Sequence, residues 1–319
     1  MSKEVKRVAL TGASGFAGGP ILSELLRVGY QVKALVRRPQ QGQFDSNVTV
    51  VKGDLDDLTA LNALVSGVDV IVHVAGAISA FDENCYFKVN FGGTRNVFNA
   101  AVATGVKRFV NVSSITARNP ELSAYAASKR AAEDFLVTRK NEMEILTLRP
   151  SAIYGPGDKA TLPLLAALQK TVAAVPGQKK AQFSLVHVAD FARVVCSASL
   201  GRQIGVLEID DMSGGHNWHE LAALNRAISG KPNRMFFLPR SVVTGIAMAS
   251  ELGSKISGQL GMVNRGKVNE LYHGDWVARG AGWPRDDAIG LAQGLAETVT
   301  WYRAHGWLPP LKQAVRTAQ

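Results

Sequence analysis

The chain has 319 residues with 46% hydrophobic side chains, which is enough for a large core in one or two domains. Its formal net charge is +10, but Lys and Arg occur singly or in pairs, so there is no basic tract typical of nucleic-acid binding. The two cysteines, Cys85 and Cys196, lack metal-ligand spacing and argue against a disulfide scaffold and a metal site.

Both the amino terminus and the apolar segments indicate the compartment. The charged start of the chain runs directly into an apolar strand, and a signal peptide would place a longer apolar region there. The longest apolar run near the C-terminal third, Val242 to Ala249, is far below the roughly 20 residues of a spanning helix. We therefore expect a cytoplasmic protein without a membrane span.

A glycine-rich turn follows the first predicted strand, which runs from Lys6 to Leu10. Gly12, Gly15 and Gly18 lie between this strand and an amphipathic helix from Ile21 to Val28, with Pro20 near its first turn. Such glycines let backbone N–H groups approach a pyrophosphate, and the positive end of the helix faces the anion. We predict a dinucleotide site here; the alternative is a strand–helix turn with no ligand.

The second predicted strand, from Gln31 to Val36, bears on the choice of dinucleotide. Proteins that prefer NAD place an Asp or Glu after this strand, whereas this chain has Arg37 and Arg38. Arginine can pair with the 2′-phosphate of NADP. We predict NADP, with NAD as the alternative, although the pair could also be a surface feature.

Strands continue to alternate with helices up to residue 150. This alternation predicts an α/β fold with a parallel, doubly wound sheet and ligands at the carboxyl ends of its strands. Gly12, Gly76, Ser114 and Pro150 each lie just past such an end. The further strands are predicted at Val48 to Val51, Asp69 to Val74, Lys107 to Val112 and Glu144 to Leu148, and a helix from Asn84 to Ala103 contains Asn90.

Tyr125 and Lys129 stand four residues apart in an Ala-rich stretch, Leu122 to Glu133, that predicts a helix. This spacing places the phenol and the ammonium on one helix face. A nearby ammonium favours the phenolate, so we expect the pKa of Tyr125 to be lowered and the side chain to exchange a proton near neutral pH. An interfacial Tyr beside a solvated Lys is the alternative.

After Arg149 the pattern loosens. A strand is predicted at Phe183 to Val188, a helix at Phe191 to Leu200 with Asp190 as its N-cap, a strand at Gly205 to Ile209 and a final helix at Asp287 to Ala304. We expect a dinucleotide-binding domain over residues 1–160, to which residues 183–210 return. Residues 161–319 would mainly form a smaller substrate-binding lobe.

Taken together, the motifs resemble the extended short-chain dehydrogenase/reductase family, also called the NAD-dependent epimerase/dehydratase superfamily. The resemblance covers roughly Val5 to Leu200. It rests on TGASGFAG, GDLDD, HVAGA, VNFGGTRNV, RFVNVSS, YAASK, LRPSAIYGPGD and LVHVAD, in the family's order and spacing.

The resemblance implies a cofactor site. In the family, the glycine loop holds the pyrophosphate, an Asp-Leu pair borders the adenine, and residues after the fourth and sixth strands line the ribose and nicotinamide. The corresponding residues here are Gly12, Ser14, Gly15, Phe16, Gly18, Arg37, Arg38, Asp54, Leu55, Ala75, Gly76, Lys129, Pro150 and Ile153.

The resemblance also implies catalytic roles. Tyr125 would donate and accept the proton, Lys129 would bind the nicotinamide ribose, and Ser114 would hydrogen-bond the reacting oxygen. Asn90 would support the site, while His187 matches a family position that we interpret as structural. The activity implied is hydride transfer between the nicotinamide and a secondary alcohol or ketone.

The branch of the family is less closely defined. Nucleotide-sugar epimerases often carry Asn where this chain has Ala152, and the LRPSAIYG form looks more like the 3β-hydroxysteroid dehydrogenase and dihydroflavonol reductase branch. The apolar segment from Phe236 to Ala249 suggests an apolar substrate, unless it packs the lobe's own core. The alternatives are a nucleotide-sugar epimerase or dehydratase with tightly bound NAD and a non-catalytic regulator or assembly subunit. The apolar helices after Phe81 and Leu122 could form a homodimer, and burial of these helices within the monomer is the alternative.

Overall fold

The computed structural model describes residues 6–230, 234–257, 264–280, 283 and 287–310, and elements are numbered along this part of the chain. Strands alternate with helices up to residue 150. The strands are β1 (Arg7–Thr11), β2 (Gln31–Val36), β3 (Val48–Lys52), β4 (Val70–His73), β5 (Arg108–Val112) and β6 (Glu144–Pro150). The helices are α1 (Gly18–Arg27), α2 (Leu58–Val65), α3 (Glu83–Tyr86), α4 (Gly93–Ala103) and α5 (Ala124–Thr138).

Short helical turns connect some of these elements. A π-helical turn, Phe87–Gly92, joins α3 to α4, and two 3₁₀ turns, Ile115–Arg118 and Pro120–Leu122, precede α5. The predicted helix from Asn84 to Ala103 is therefore present, but it is not uniformly α-helical.

Beyond residue 150 the elements are shorter. They are β7 (Ala152–Tyr154), α6 (Leu162–Leu168), β8 (Val172–Pro176), β9 (Gln182–Phe183), β10 (Leu185–His187), α7 (Val188–Leu200) and β11 (Gly205–Ile209). After these come β12 (His216–Asn217), α8 (Trp218–Ser229), β13 (Arg234–Leu238), α9 (Arg240–Ser257), α10 (Arg265–Leu271), β14 (Asp275–Trp276) and α11 (Leu291–Ala304). In the described ranges, no helix combines the length and the apolar character needed to cross a membrane.

The main sheet has seven parallel strands in the order β11-β6-β5-β4-β1-β2-β3. Because β1 pairs with both β2 and β4, the direction of winding reverses at β1, and a crevice opens there at the carboxyl ends of the strands. The predicted α/β fold with a doubly wound parallel sheet is confirmed.

Both faces of this sheet are covered. Val8 and Leu10 of β1 join a core with Ile21 of α1 and Phe191 of α7. Ala9, between them, faces the opposite core, which α2 and α4 complete with residues such as Phe98. Burial on both faces explains why the strands read as nearly continuous apolar runs.

A second core lies outside the main sheet. Its buried residues include Tyr154, Leu165, Trp218, Leu295 and Tyr302. We call the elements around it and around α9 the second lobe: α6, β8, β9, β12, α8, β13, α9, α10, β14 and α11. The predicted domain boundary at residue 160 stays a prediction.

Three local predictions are wrong. The run from Phe183 to Val188 is two short strands, β9 and β10. His187, and not Asp190, is the N-cap of α7, because its Nδ1 accepts from the Ala189 N–H and the helix starts at Val188. Asp190 instead accepts a hydrogen bond from the backbone of Ile289. The last helix begins at Leu291, later than predicted.

Candidate active site

The glycine loop after β1 is packed too closely for side chains. Gly12 has φ +80°, and a Cβ atom there would lie 2.7 Å from the Ala75 nitrogen. A Cβ on Gly18 would lie only 1.9 Å from the Gly12 carbonyl oxygen. The backbone N–H of Gly15 donates to that same oxygen at 2.9 Å. The loop and the first turn of α1 thus form a bare backbone cradle that fits a pyrophosphate.

The remaining residues of this loop are accessible to solvent to different degrees. Ser14 and Gly15 are exposed and Phe16 is partly buried, so the loop's outer surface is open to a ligand. Pro20 is the third residue of α1, where its missing N–H would have no partner within the helix.

A buried histidine connects the glycine loop to the next helix. The Thr11 hydroxyl lies 2.8 Å from Nδ1 of His73, and Nε2 lies 3.1 Å from the Thr94 hydroxyl. Burial lowers the pKa of His73 to about 3, so the ring is neutral. Because Thr94 donates its own proton to the Asn90 carbonyl, Nε2 of His73 must carry the ring proton and Nδ1 must accept from Thr11. This connection was not predicted from the sequence, because its contacts join residues 62 and 21 positions apart.

Asn90 lies in the π-helical turn and fixes the segment after β4. Its Oδ1 accepts from the Ala77 N–H at 2.7 Å, and its Nδ2 donates to the Ala77 carbonyl and to the Ser128 hydroxyl. The turn adds a residue to the helix locally and is frequent at functional sites. Asn90 therefore joins the β4 loop to α5 and acts as a positioning residue.

Lys129 reaches the same point from α5. Its Nζ donates to the Val112 carbonyl at 2.9 Å. A Cβ on Gly76 would lie 3.1 Å from this Nζ and 3.0 Å from Oδ1 of Asn90, so the three residues meet. Burial lowers the pKa of Lys129 to about 8, and Glu133, one turn further along the helix, acts in the opposite direction.

Tyr125 and Ser114, the residues predicted to act on the substrate oxygen, lie next to each other. Ser114 caps the 3₁₀ turn after β5, and its side chain interacts with that of Tyr125. Burial raises the pKa of Tyr125 to about 12, although the contact with Ser114 lowers it. The prediction of a lowered Tyr125 pKa is wrong for this structure, because the ammonium of Lys129 is directed to a carbonyl and desolvation of the phenol dominates.

An ion pair between Glu133 and Arg149 joins α5 to β6. The Glu133 carboxylate accepts a hydrogen bond from the Ser113 hydroxyl at 2.5 Å and binds the Arg149 guanidinium through contacts of 2.5, 3.0 and 3.1 Å. Glu133 is one turn from Lys129, and Arg149 precedes Pro150. This pair therefore fixes two of the predicted site residues relative to each other.

The ion pair extends into the second lobe. Glu208 of β11 lies 3.6 Å from Arg149 and 3.1 Å from Arg118. Arg118 also donates to the backbone carbonyls of Asp275 and Val277, around β14. The alternating charges thus run from the helix of Lys129 to the second lobe.

The residues predicted to border the adenine lie beyond β2. Arg37 and Arg38 are exposed directly after this strand. Asp54 accepts the Asp56 N–H at 2.9 Å, and the Leu55 carbonyl accepts from the Asn96 side chain at 2.9 Å. These contacts fix the loop that follows β3, next to the two arginines.

The residues predicted to line the nicotinamide lie at the end of β6 and in β7. Pro150 ends β6, and Ile153 is the middle residue of β7. Beside them, the ring of His187 packs edge-on against Tyr154 at 5.4 Å. Because His187 also caps α7, the structure gives it a structural role. Among the described residues, no group of His, Cys, Asp or Glu is placed to hold a metal.

Residues 8–201 match the NAD dependent epimerase/dehydratase family. The chain is 36% identical over 309 residues to the ceramide reductase of Caulobacter vibrioides, covering 95% of this chain and 96% of that protein. It is 31% identical to a 3 beta-hydroxysteroid dehydrogenase/Delta 5→4-isomerase of Mycobacterium tuberculosis, covering 63% and 62% of the two chains. Bordetella bronchiseptica WbmH, solved with NAD+, has the same fold, with TM-score 0.73, 21% identity and coverage of 95% and 100%.

Proposed function

This chain belongs to the NAD dependent epimerase/dehydratase family and is an NAD(P)-dependent oxidoreductase, and we propose that it uses NADPH to reduce a ketone in a long-chain lipid of the ceramide class. The observation that carries the substrate class is the 36% identity to a ceramide reductase over nearly the whole of both chains. A ceramide has a secondary alcohol on its long-chain base, and the corresponding ketone is the group that such a site can reduce.

The chemistry follows from three side chains. When bound, a nicotinamide cofactor would supply the hydride for the carbonyl carbon. Tyr125 then transfers its hydroxyl proton to the carbonyl oxygen, and its pKa of about 12 keeps that proton in place until the reaction. Ser114 donates a hydrogen bond to the same oxygen. Lys129, beside Gly76, would hold the nicotinamide ribose with its ammonium.

Mixed micelles allow a direct test of the substrate. We expect the purified chain to oxidise NADPH in the presence of a ceramide whose long-chain base carries a 3-ketone, with the alcohol identified by mass spectrometry. Tyr125→Phe should reduce kcat about a thousandfold while retaining NADPH binding. Failure of the wild-type chain to reduce this ketone, or full activity of Tyr125→Phe, would contradict the proposal.

The preference for NADP rests on Arg37 and Arg38, which are exposed where the 2′-phosphate would lie. Replacing both with Ser should weaken NADPH binding by about tenfold to a hundredfold and leave NADH binding nearly unchanged. Arg202→Ser, at an exposed arginine after α7, is the control. Equal losses for NADPH and NADH would favour NAD as the physiological cofactor.

Two other functions remain predictions. A nucleotide-sugar epimerase would retain NAD through purification and show no net change in nicotinamide absorbance, so identifying the nucleotide released on denaturation separates it from a reductase. A non-catalytic dinucleotide-binding protein would tolerate Tyr125→Phe without loss of function. The cytoplasmic location and the homodimer through the helices after Phe81 and Leu122 also remain predictions.

A further inference from the structure

Helix α9 presents an apolar surface to solvent. Val243 and Ala247 are buried against Val268 and Tyr272. The opposite side exposes Val242, Ile246, Met248 and Leu252, with exposed fractions of 48%, 54%, 56% and 62%. We call these four residues the α9 face.

The α9 face contains no charge. Between residues 241 and 253, which are described throughout, every other exposed residue is Ser, Gly or Ala. A surface helix of a soluble protein normally places charged residues on this side. Contiguous apolar surface of this kind marks an interaction site.

The α9 face lies close to the candidate active site. Glu251, next to Leu252, accepts the backbone N–H of Arg265 at 2.8 Å. The preceding residue, Asn264, reaches the Tyr86 hydroxyl at 3.5 Å, and the Tyr86 ring lies 6.1 Å from that of Tyr125. A few contacts therefore connect α9 to the catalytic tyrosine.

A second exposed apolar segment lies in the loop that leads to Tyr86. The loop before α3 exposes Ile78 and Phe81, by 72% and 59%. This loop leads from Ala77, which is bound to Asn90, into the helix that carries Tyr86. Exposed apolar side chains thus stand on both the β4 side and the α9 side of the region around Tyr125.

The charge around the α9 face favours an anionic partner. Residues 234–270 contain five Arg and Lys residues and two acidic residues, Glu251 and Glu270, in a chain of net charge +10. The two acidic residues pair with Arg265 and Lys267, which leaves a net positive charge in this segment. A second copy would bring the same positive charge to the contact and be repelled. An anionic lipid surface attracts these residues and accepts the apolar side chains.

We propose that the α9 face docks this protein onto the surface of an anionic lipid bilayer. The side chains of Ile246 and Leu252 enter the boundary between headgroups and acyl chains, and the nearby basic residues contact the headgroups. A long-chain substrate then passes from the bilayer towards Tyr125; only this last step rests on the proposed lipid substrate.

Vesicle flotation of the full chain tests the docking without any substrate. The wild-type protein should float with phosphatidylcholine vesicles containing roughly one quarter phosphatidylglycerol, and should float less at high salt. Ile246→Glu should reduce the bound fraction at least about tenfold, because it replaces a large apolar contact with a charge. The matched control is Leu58→Glu, at an equally exposed residue of α2, which should bind as the wild type does.

Three outcomes would overturn the proposal. The wild type could fail to bind anionic vesicles, or the two variants could bind equally. The third outcome is a dimer in size-exclusion chromatography that Ile246→Glu dissociates, which would show that a second copy covers the face. Turnover of a short, soluble ketone should be unchanged in Ile246→Glu. Absence of that turnover in a wild-type protein that binds vesicles would contradict the proposed function and leave the docking intact.

Discussion

Strand β1 and helix α9 differ in how much of their apolar surface is exposed to solvent. In β1, the side chains from Val8 to Thr11 are fully inaccessible to solvent, and both faces of the strand are packed. In α9, the described residues that are buried are Val243 and Ala247, and the outward side is apolar. The main sheet thus buries its apolar side chains and fixes the positions of the candidate active-site residues. The second lobe leaves apolar side chains exposed on α9.

The charged connection between these two regions gives the largest expected effect. Glu133→Gln leaves the partly buried Arg149 without its main partner and should lower the free energy of unfolding by about 3 kcal/mol. Asp134→Asn, at the next residue of α5, breaks only the exposed contact with Arg130 and should change stability little. Denaturant unfolding measures both; similar values would mean that the connection does not stabilise the protein.

The close packing of the crevice gives the next effect. Gly18→Ala places a methyl group against the Gly12 carbonyl and should weaken cofactor binding about a hundredfold or more, because the loop must shift. Gly19→Ala adds a methyl group whose nearest neighbour is 3.9 Å away. We expect normal binding in that control and a slightly more stable helix. Titration of NADPH by fluorescence separates the two, and equal affinities would refute the proposed pyrophosphate cradle.

A smaller effect concerns the charge of Lys129. Because its pKa is lowered to about 8, the ammonium is present below that pH and lost above it. We expect kcat/KM for the cofactor to be flat below about pH 8 and to fall about tenfold per pH unit above it. Since Glu133 raises this pKa, Glu133→Gln should move the midpoint to lower pH. A profile that is flat through pH 9 would contradict the role given to Lys129.

The smallest expected effect is a pH dependence of stability that arises from His216 in the second lobe. His216 is buried between Asp211, at 2.6 Å, and Glu220, at 3.0 Å, and both carboxylates raise its pKa against the effect of burial. A raised folded-state pKa stabilises the protein below the unfolded value of about 6.5, and this contribution is lost as pH rises through the folded-state value.

Thermal unfolding at about pH 6 and about pH 9 tests this pH dependence. The wild type and the exposed-site control His219→Gln should both lose stability on going to the higher pH. His216→Gln should lose less. If His216→Gln follows the wild type, the dependence arises elsewhere.

Short-range patterns carried most of the sequence predictions. The glycine loop, the alternating strands and the Tyr125–Lys129 spacing depend on neighbours within a few residues, so the doubly wound parallel sheet and the position of the glycine loop after its first strand could be predicted. The Glu133–Arg149 pair joins residues 16 positions apart, and Arg118–Glu208 joins residues 90 apart. No pattern among neighbouring residues in the sequence predicts either contact.

Two other features depended on surroundings that a sequence does not display. The direction of the Tyr125 pKa shift depends on how deeply the phenol is buried and on where Lys129 donates its hydrogen bond. The apolar run from Val242 to Ala249 gives the same pattern whether its larger side chains pack inside the lobe or face solvent. The structure places Ile246 and Met248 outside, which the hydrophobic pattern alone would not have indicated.

The late position of β11 has a consequence for biosynthesis. This strand pairs with β6, yet it is made only after the ribosome has translated all six elements between them, from β7 to α7. Until residue 209 emerges, the seven residues of β6 form an open edge whose N–H and carbonyl groups can pair with another nascent chain. A fragment truncated before residue 205 would keep that edge permanently, and it would tend to aggregate even though it contains the glycine loop, Tyr125 and Lys129.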